Sequence, residues 1–291
     1  MKKINIGAGA FWKSDGWETL DNAPASYSKK WQHFGKCWDT KLESNSYEIV
    51  FTSHTLEHVP QFRIEKTISE INRIMKIGGT LRILVPDLES SARAYINKDK
   101  NFFKFSKHYD ETLGIAGSFL RQIVSPGGQT IAMNREFDEI FGGYAHLFCF
   151  DFELMKILLK KWGFYNIKKC KPGMSKIKEL QEFQNYVIEN KKYDISDRYV
   201  KSNKIFKSKK DFYISGFDKN WAGQLVIEAK KEKHIKFSEF AEFSKLKQSR
   251  YNSAIDNIKI RIFFRISSII DFFYNSYQTL KRIFKIKKLF K

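Results

Sequence analysis

Histidine and carboxylate side chains occur together in one short stretch, SHTLEH at residues 53–58, directly after the apolar segment YEIVFT. His54 and His58 are four residues apart and share one face if the stretch is helical, with Glu57 alongside. Two histidines at this spacing can bind a metal ion, or they can cap and pack the helix that follows. The adjacent residues supply no further ligand, so we predict packing and no metal.

Proton transfer requires a side chain such as histidine, aspartate or glutamate close to the reacting group. Asp87 follows Pro86 at the end of an apolar segment and could either face a substrate or cap the next turn. His146 precedes an amphipathic segment, where it could be a base or a structural residue. We predict His146 as the general base, with Asp87 and His54 as further catalytic candidates.

A glycine turn follows the first apolar segment in the sequence KINIGAGAFWKSDGWETLDN, residues 2–21. A dinucleotide fingerprint requires a third glycine where Trp12 stands, and a phosphate loop requires Gly-Lys-Ser/Thr, which is absent. Gly7 and Gly9 lack a Cβ and let the backbone approach a ligand closely, or they form only a turn. Asp21, at the tip of the next strand, could accept hydrogen bonds from two ribose hydroxyls.

Apolar periodicity predicts strands at residues 4–6, 47–53, 80–87 and 223–231, with helices at 62–79 and 150–164. Asp151 is placed to cap the second helix, and Gly163 to end it. Strands alternating with helices predict an α/β fold, a Rossmann-like doubly wound, mostly parallel sheet.

Four segments in order resemble the class I S-adenosylmethionine (SAM)-dependent methyltransferases, specifically the type 11 group: the glycine turn with its Gly-Trp-x-x-Leu-Asp, IVFTSHTLEHV, INRIMKIGGTLRILVPDLE and YAHLFCFDFELMKILLKKWGF. The resemblance implies SAM as cofactor. It also implies contacts to the methionine part from Gly7, Ala8 and Gly9, to the ribose from Asp21, to the adenine amine from Asp39, and to the methionine end from Ser53 and His54. Asp39 could equally be an ordinary turn residue.

The chain departs from that family pattern in three places. We predict a methyltransferase domain at residues 1–232, with a helical cap insertion near 90–143 and a surface excursion near 184–212. A basic helical tail follows at 233–291. The tail has 14 Lys or Arg and 4 acidic residues, so its net charge of +10 is half of the chain's formal +20.

The end of the tail combines basic charge with an apolar stripe at helical spacing, which comprises Ile258, Ile262, Ile266, Ile269, Phe273, Tyr277, Leu280 and Phe284. This pattern favours an anionic membrane surface as partner. Packing on the enzyme or self-association would also use the stripe, and nucleic acid is the third alternative.

The resemblance and the charge together predict in-line methyl transfer to an oxygen of a small molecule, or of a saccharide or lipid-linked glycan intermediate. A nucleic-acid methyltransferase and a non-catalytic binding module are the alternatives. Three widely separated cysteines, no signal-peptide pattern and no long uncharged run predict a cytoplasmic protein, peripheral at the inner membrane face if the tail binds lipid.

Overall fold

The computed structural model describes residues 1–9, 11–22, 32–105, 111–123, 146–188, 190–194 and 212–237. Its strands are β1 Lys3–Ile6, β2 Trp17–Asp21, β3 His33–Phe34, β4 Tyr47–Ser53, β5 Met75–Pro86, β6 Phe164–Cys170, β7 Asn185–Ile188, β8 Lys191–Asp194, β9 Phe212–Ser215 and β10 Gln224–Lys231. Its α-helices are α1 Gln61–Ile74, α2 Leu88–Ile96, α3 Lys100–Phe105, α4 Gly114–Ile123 and α5 Phe152–Lys161.

Seven strands form the main sheet in the order β3-β2-β1-β4-β5-β10-β6. The pairs from β3 to β5 are parallel, and β10 is antiparallel to both of its neighbours. The order reverses between β1 and β4, so the carboxyl ends of these two strands flank the crevice where doubly wound sheets bind ligands. The predicted fold class is confirmed.

Apolar residues bury both faces of the central strands, as a parallel sheet requires. Ile4 and Ile6 of β1, with Val50 and Phe51 of β4, are inaccessible to solvent. Helix α1 adds Ile64, Ile68 and Ile71, the stripe that its sequence predicted. The site therefore stands on a rigid edge of packed strands.

The end of one predicted helix was wrong, and the predicted excursion contains strands that the sequence did not indicate. Helix α1 ends at Ile74 rather than at the glycine pair, because Met75 is already extended and pairs with Tyr47, and Gly78 and Gly79 lie inside β5. The predicted excursion at 184–212 contains strands: β7 pairs with β8 and β9 in a separate antiparallel sheet. This small sheet is joined to the main domain where Ile214 exchanges backbone hydrogen bonds with Phe11 and Lys13.

The described part of the predicted cap is helical, since it comprises α2, α3 and α4. Residues 124–145 of the cap lie outside the described residues, and so does the predicted tail from residue 238 onward. Helix α5 begins as predicted, because the Asp151 side chain accepts a hydrogen bond from Leu154 N at 2.8 Å. Among the described residues, no helix is long and apolar enough to cross a membrane.

Candidate active site

The glycine turn lies at the carboxyl end of β1, where both glycines adopt left-handed backbone conformations. The φ angle is +73° at Gly7 and +69° at Gly9. This backbone region is sterically unfavourable for residues that have a Cβ. Gly7 N donates to Leu20 O at 2.8 Å, and Ala8 N to the same oxygen at 3.3 Å. The turn is therefore fixed against the end of β2.

The two glycines differ in what surrounds them. A Cβ on Gly7 would stand 2.1 Å from Thr55 Oγ1 and 2.8 Å from Thr55 Cβ, whereas a Cβ on Gly9 would meet no atom within 4 Å. The Thr55 hydroxyl lies 3.3 Å from Ile6 O and 3.4 Å from Gly7 O, so the segment after β4 packs directly on the turn. The missing side chain of Gly7 makes room for Thr55, whereas that of Gly9 leaves open space beside the backbone.

Asp21 ends β2 next to this open space. Its Oδ2 accepts a hydrogen bond from Gly9 N at 2.7 Å, and its Oδ1 accepts one from Asn22 N at 2.7 Å. A carboxylate has about four acceptor positions, so both oxygens keep capacity for ribose hydroxyls. An open glycine backbone beside a partly exposed carboxylate is an arrangement that fits SAM, and the role of Asp21 in holding the ribose stays a prediction.

The remaining predicted cofactor residues lie around this crevice. Asp39 is exposed, with Oδ2 2.9 Å from Lys41 Nζ, and its loop returns to Gly35, whose N–H donates to Asp21 O at 3.2 Å. Ser53 ends β4, and its Oγ is buried without a hydrogen-bond partner in the described part of the chain. Their roles in binding adenine and methionine stay predictions.

Trp12 and Trp17, the two indoles near the turn, are core residues rather than a stacking platform. Each is 5% exposed, and both pack edge-on or tilted against Phe217. Trp12 Nε1 also donates to Gly216 O at 2.7 Å, which satisfies its polar atom.

The SHTLEH segment forms a cluster with His146 beyond the end of β4. A short 3₁₀ turn at Leu56–His58 directs Glu57 and His58 toward His146, and one ligand atom from each of these three side chains lies within 4.8 Å of the others. The rings of His58 and His146 are 5.0 Å apart between centroids. We name Glu57, His58 and His146 the triad.

Backbone contacts hold His146 in the triad. Leu147 N donates to Glu57 O at 2.7 Å, which attaches the segment before α5 to the 3₁₀ turn. His146 Nδ1 lies 2.7 Å from Gln122 O, and because a carbonyl can only accept, Nδ1 carries the proton. In the neutral ring, Nε2 therefore keeps its lone pair. Burial lowers the pKa of His146, and the charge of His58 lowers it further, against the opposing charge of Glu57.

His54 lies behind the triad, with Nδ1 3.1 Å from Glu57 Oε1 and Nε2 2.5 Å from Gln224 Oε1. Burial and the charge of Lys219 lower its pKa, against the influence of Glu57. Burial also raises the pKa of Glu57, but the close approach of His54 and the charges of the two triad histidines outweigh burial and bring it to about 2. Glu57 is thus a buried carboxylate, 1% exposed.

Asp87 makes its contacts outside the cluster of His54, Glu57, His58 and His146. Its Oδ2 lies 3.2 Å from Lys169 Nζ, and Ser91 N donates to its backbone oxygen in the first turn of α2. Its Oδ1 is buried without a hydrogen-bond partner among the described residues. The structure therefore brings together His54 and His146 but places Asp87 in a separate ion pair.

Sequence reasoning did not combine Glu57 with His146, because 88 positions separate them. The sequence did contain one indication: Glu57 follows a predicted strand and His146 precedes a predicted helix, and strand ends and helix starts of this kind lie at the same edge of the sheet. The backbone hydrogen bonds between residues 146–148 and the 3₁₀ turn could not be predicted from the sequence.

Comparison with known proteins agrees with this architecture. Residues 18–83, which run from β2 through most of β5, match the family model described as "Methyltransferase domain", that of the type 11 group. A comparison with curated proteins found no match.

Solved structures with a similar arrangement include two described as SAM-dependent methyltransferases. One, a possible histamine N-methyltransferase from Thermotoga maritima, is 15% identical, with 80% of this chain and 82% of that chain covered and a TM-score of 0.39. The other, from Archaeoglobus fulgidus, is 17% identical, with 79% and 86% covered and a TM-score of 0.38. TM-scores this low add nothing to the assignment.

The family match and the geometry of the chain concern the same part of the sheet. The matched segment contains Asp21 and the SHTLEH residues, and the sheet supplies the reversal of strand order beside the glycine turn. Residues 18–83 are therefore similar to a methyltransferase domain, and S-adenosylmethionine is the cofactor that this similarity implies.

Proposed function

We propose that this methyltransferase modifies a hydroxyl oxygen of a small molecule or of a saccharide, including a lipid-linked glycan intermediate. The observation that carries the proposal is the triad at the end of β4, in the segment whose Thr55 touches the glycine turn. An acceptor atom that holds no proton, or loses it easily, would not require such a group. A hydroxyl has to lose its proton as the new bond forms.

Bound SAM supplies an electrophilic methyl group on a sulfonium, and the residues of the chain do the rest. The backbone at Gly9 and the Asp21 carboxylate hold the cofactor in place. The acceptor oxygen would have to approach the methyl group in line, so that the new O–C bond forms as the S–C bond breaks and S-adenosylhomocysteine is the leaving group. The triad would take the hydroxyl proton, with His146 Nε2 as the accepting nitrogen.

Positioning contributes more than acid strength to such a displacement, because the sulfonium loses its charge as the methyl group moves. Holding two reactants at near-attack geometry can contribute about 7–11 kcal/mol to lowering a barrier. Helix α4 contacts His146 through Gln122 O, which supports a role for the cap helices in excluding water from the acceptor.

The test supplies methyl-labelled SAM and a panel of acceptors that contains free and lipid-linked saccharides, phenols, amines, RNA and DNA. We expect label in an ether, with turnover in His146→Ala reduced about 100-fold or more and SAM affinity unchanged by calorimetry. Asp21→Ala is the matched contrast, because it removes the ribose acceptor and should abolish SAM binding. Label confined to amines or to nucleic acid would contradict the proposal.

A further inference from the structure

Glu57, His58 and His146 have the composition of a metal centre as well as that of a proton acceptor. Their ligand atoms all lie within 4.8 Å of one another, and two imidazoles with one carboxylate form a set that zinc and other first-row transition ions bind with positions left open. Magnesium and calcium prefer all-oxygen sites, so this set selects against them.

The carboxylate of Glu57 is the second observation that points to a cation. Its side chain is 1% exposed, and its close side-chain contact outside the triad is to His54, whose Nδ1 lies 3.1 Å from Oε1. Burying a carboxylate is unfavourable unless a cation compensates its negative charge. Both oxygens belong to a group that faces two imidazoles.

Hydrogen bonds from groups outside the triad hold its three side chains in position, as is usual for metal ligands. His146 Nδ1 donates to Gln122 O, which fixes the ring and presents Nε2, the arrangement common among metal-bound histidines. The main chain holds the other two ligands, since His58 N donates to Thr55 O at 3.1 Å and Glu57 O accepts from Leu147 N. His54 adds a partner at 3.1 Å from Glu57 Oε1.

We propose that Glu57, His58 and His146 bind one divalent transition-metal ion of the zinc class, and that the acceptor hydroxyl occupies an open position on that ion. The second half rests on the proposed O-methylation. Ligand bonds of about 2.0–2.1 Å in a tetrahedral site place the ligand atoms about 3.3 Å apart. The triad therefore closes by about 1.5 Å or less when the ion enters.

A metal ion bound to the triad would replace His146 as the group that promotes loss of the hydroxyl proton, so the ligand role of His146 is an alternative to the base role proposed above. An oxygen bound to a divalent ion loses its proton far more readily than a free hydroxyl, so the acceptor reacts as a metal-bound alkoxide and its proton goes to water. His146 Nε2 cannot hold the ion and accept a proton with the same lone pair. The base role predicts activity without metal, and the ligand role predicts activity only with it.

The experiment uses the full chain without a histidine tag, stripped of metal by chelation. Calorimetry with Zn²⁺ and the visible absorption of Co²⁺ measure binding directly. We expect one equivalent bound by the wild type, and affinity reduced about 100-fold or more in Glu57→Gln, His58→Ala and His146→Ala. The control is His33→Ala, whose histidine pairs with Glu18 at 2.6 Å on the sheet edge, and which should bind metal like the wild type.

Circular dichroism confirms that each variant is folded, and the three separate ligand variants ensure that one unfolded variant does not decide the result. No one-equivalent site in the wild type, or equal affinity in the folded triad variants, would overturn the metal site. Ether formation by chelated protein at the full rate would overturn the ligand role while leaving O-methylation intact. A bound metal with no methylated hydroxyl would instead refute the proposed function and the acceptor's place on the ion.

Discussion

Gly7 and Gly9 share a left-handed backbone but not a neighbour, so alanine at the two positions should have different effects. Alanine in this region costs about 1–2 kcal/mol, and the lower entropy of the unfolded chain returns about 0.4–1 kcal/mol. At Gly9, where the new Cβ meets nothing within 4 Å, the net loss of stability should be about 0–1.6 kcal/mol.

At Gly7 the same strain is joined by a collision with Thr55. Rotating the threonine does not remove it, because Thr55 Cβ is itself 2.8 Å from the new carbon, and Oγ1 and Cγ2 lie at 2.1 and 2.4 Å. Overpacking of this kind costs typically about 1–3 kcal/mol. We therefore expect Gly7→Ala to lower the free energy of unfolding by about 2–4 kcal/mol.

Urea denaturation of both variants, with SAM calorimetry on each, checks these values. Gly9→Ala should remain close to wild-type stability yet bind SAM at least tenfold more weakly, because its methyl group occupies the open space beside Asp21. Adding Thr55→Ala to Gly7→Ala removes two of the three close contacts and should recover more than 1 kcal/mol. A Gly9→Ala variant less stable than Gly7→Ala, or no recovery in the double variant, would refute the reasoning.

Three further predictions concern other parts of the chain. Asp218→Asn should lower the free energy of unfolding by about 3 kcal/mol, because Asp218 forms a fully buried ion pair with Arg82, and thermal or urea unfolding against the exposed control Asp15→Asn measures it. Lys231 is 1% exposed, and burial lowers its pKa to about 8. Between about pH 8 and 10.5 the unfolded chain therefore binds more protons than the folded chain, so the free energy of unfolding of the wild type rises with pH across that window. Lys231→Met lacks this titrating group, and urea unfolding should find it more stable than the wild type at pH 7, by a margin that shrinks by pH 10.5. The full chain should float with anionic but not neutral vesicles, at low more than at high salt, if residues 233–291 bind a membrane as predicted; equal flotation with both would exclude an electrostatic contact.

The sequence predicted those elements whose signals are local. The strand ending in Gly7-Ala8-Gly9 and the Asp151 cap of α5 were read from adjacent residues, and both are confirmed. Strand β6 was missed because it is largely exposed and lacks alternating apolar residues, with only Phe164 buried. The small sheet of β7, β8 and β9 was missed because each of its strands is only four residues long and the stretch that contains them is rich in Lys and Asn.

The candidate site divides in the same way. Asp21 could be identified because its position relative to the glycine turn is fixed by two adjacent parallel strands, β1 and β2, in register. The triad could not, because it depends on where the chain returns after the cap, and spacing along the sequence does not encode that return. The sequence pointed to His54 and His58 as a pair, whereas the triad contains His58 together with Glu57 and His146.

The arrangement also explains why one six-residue segment can serve both halves of the site. Thr55 packs under the glycine turn on one side, while Glu57 and His58, two and three residues later, face His146 on the other. A shift of this segment by an ångström would move the cofactor turn and the triad together. Under the proposed function, in-line transfer depends on the distance between the methyl group and the acceptor oxygen, and a segment that contacts both the glycine turn and the triad would help to set that distance. Substitutions at Thr55 should therefore affect turnover more than they affect the affinity of either substrate alone.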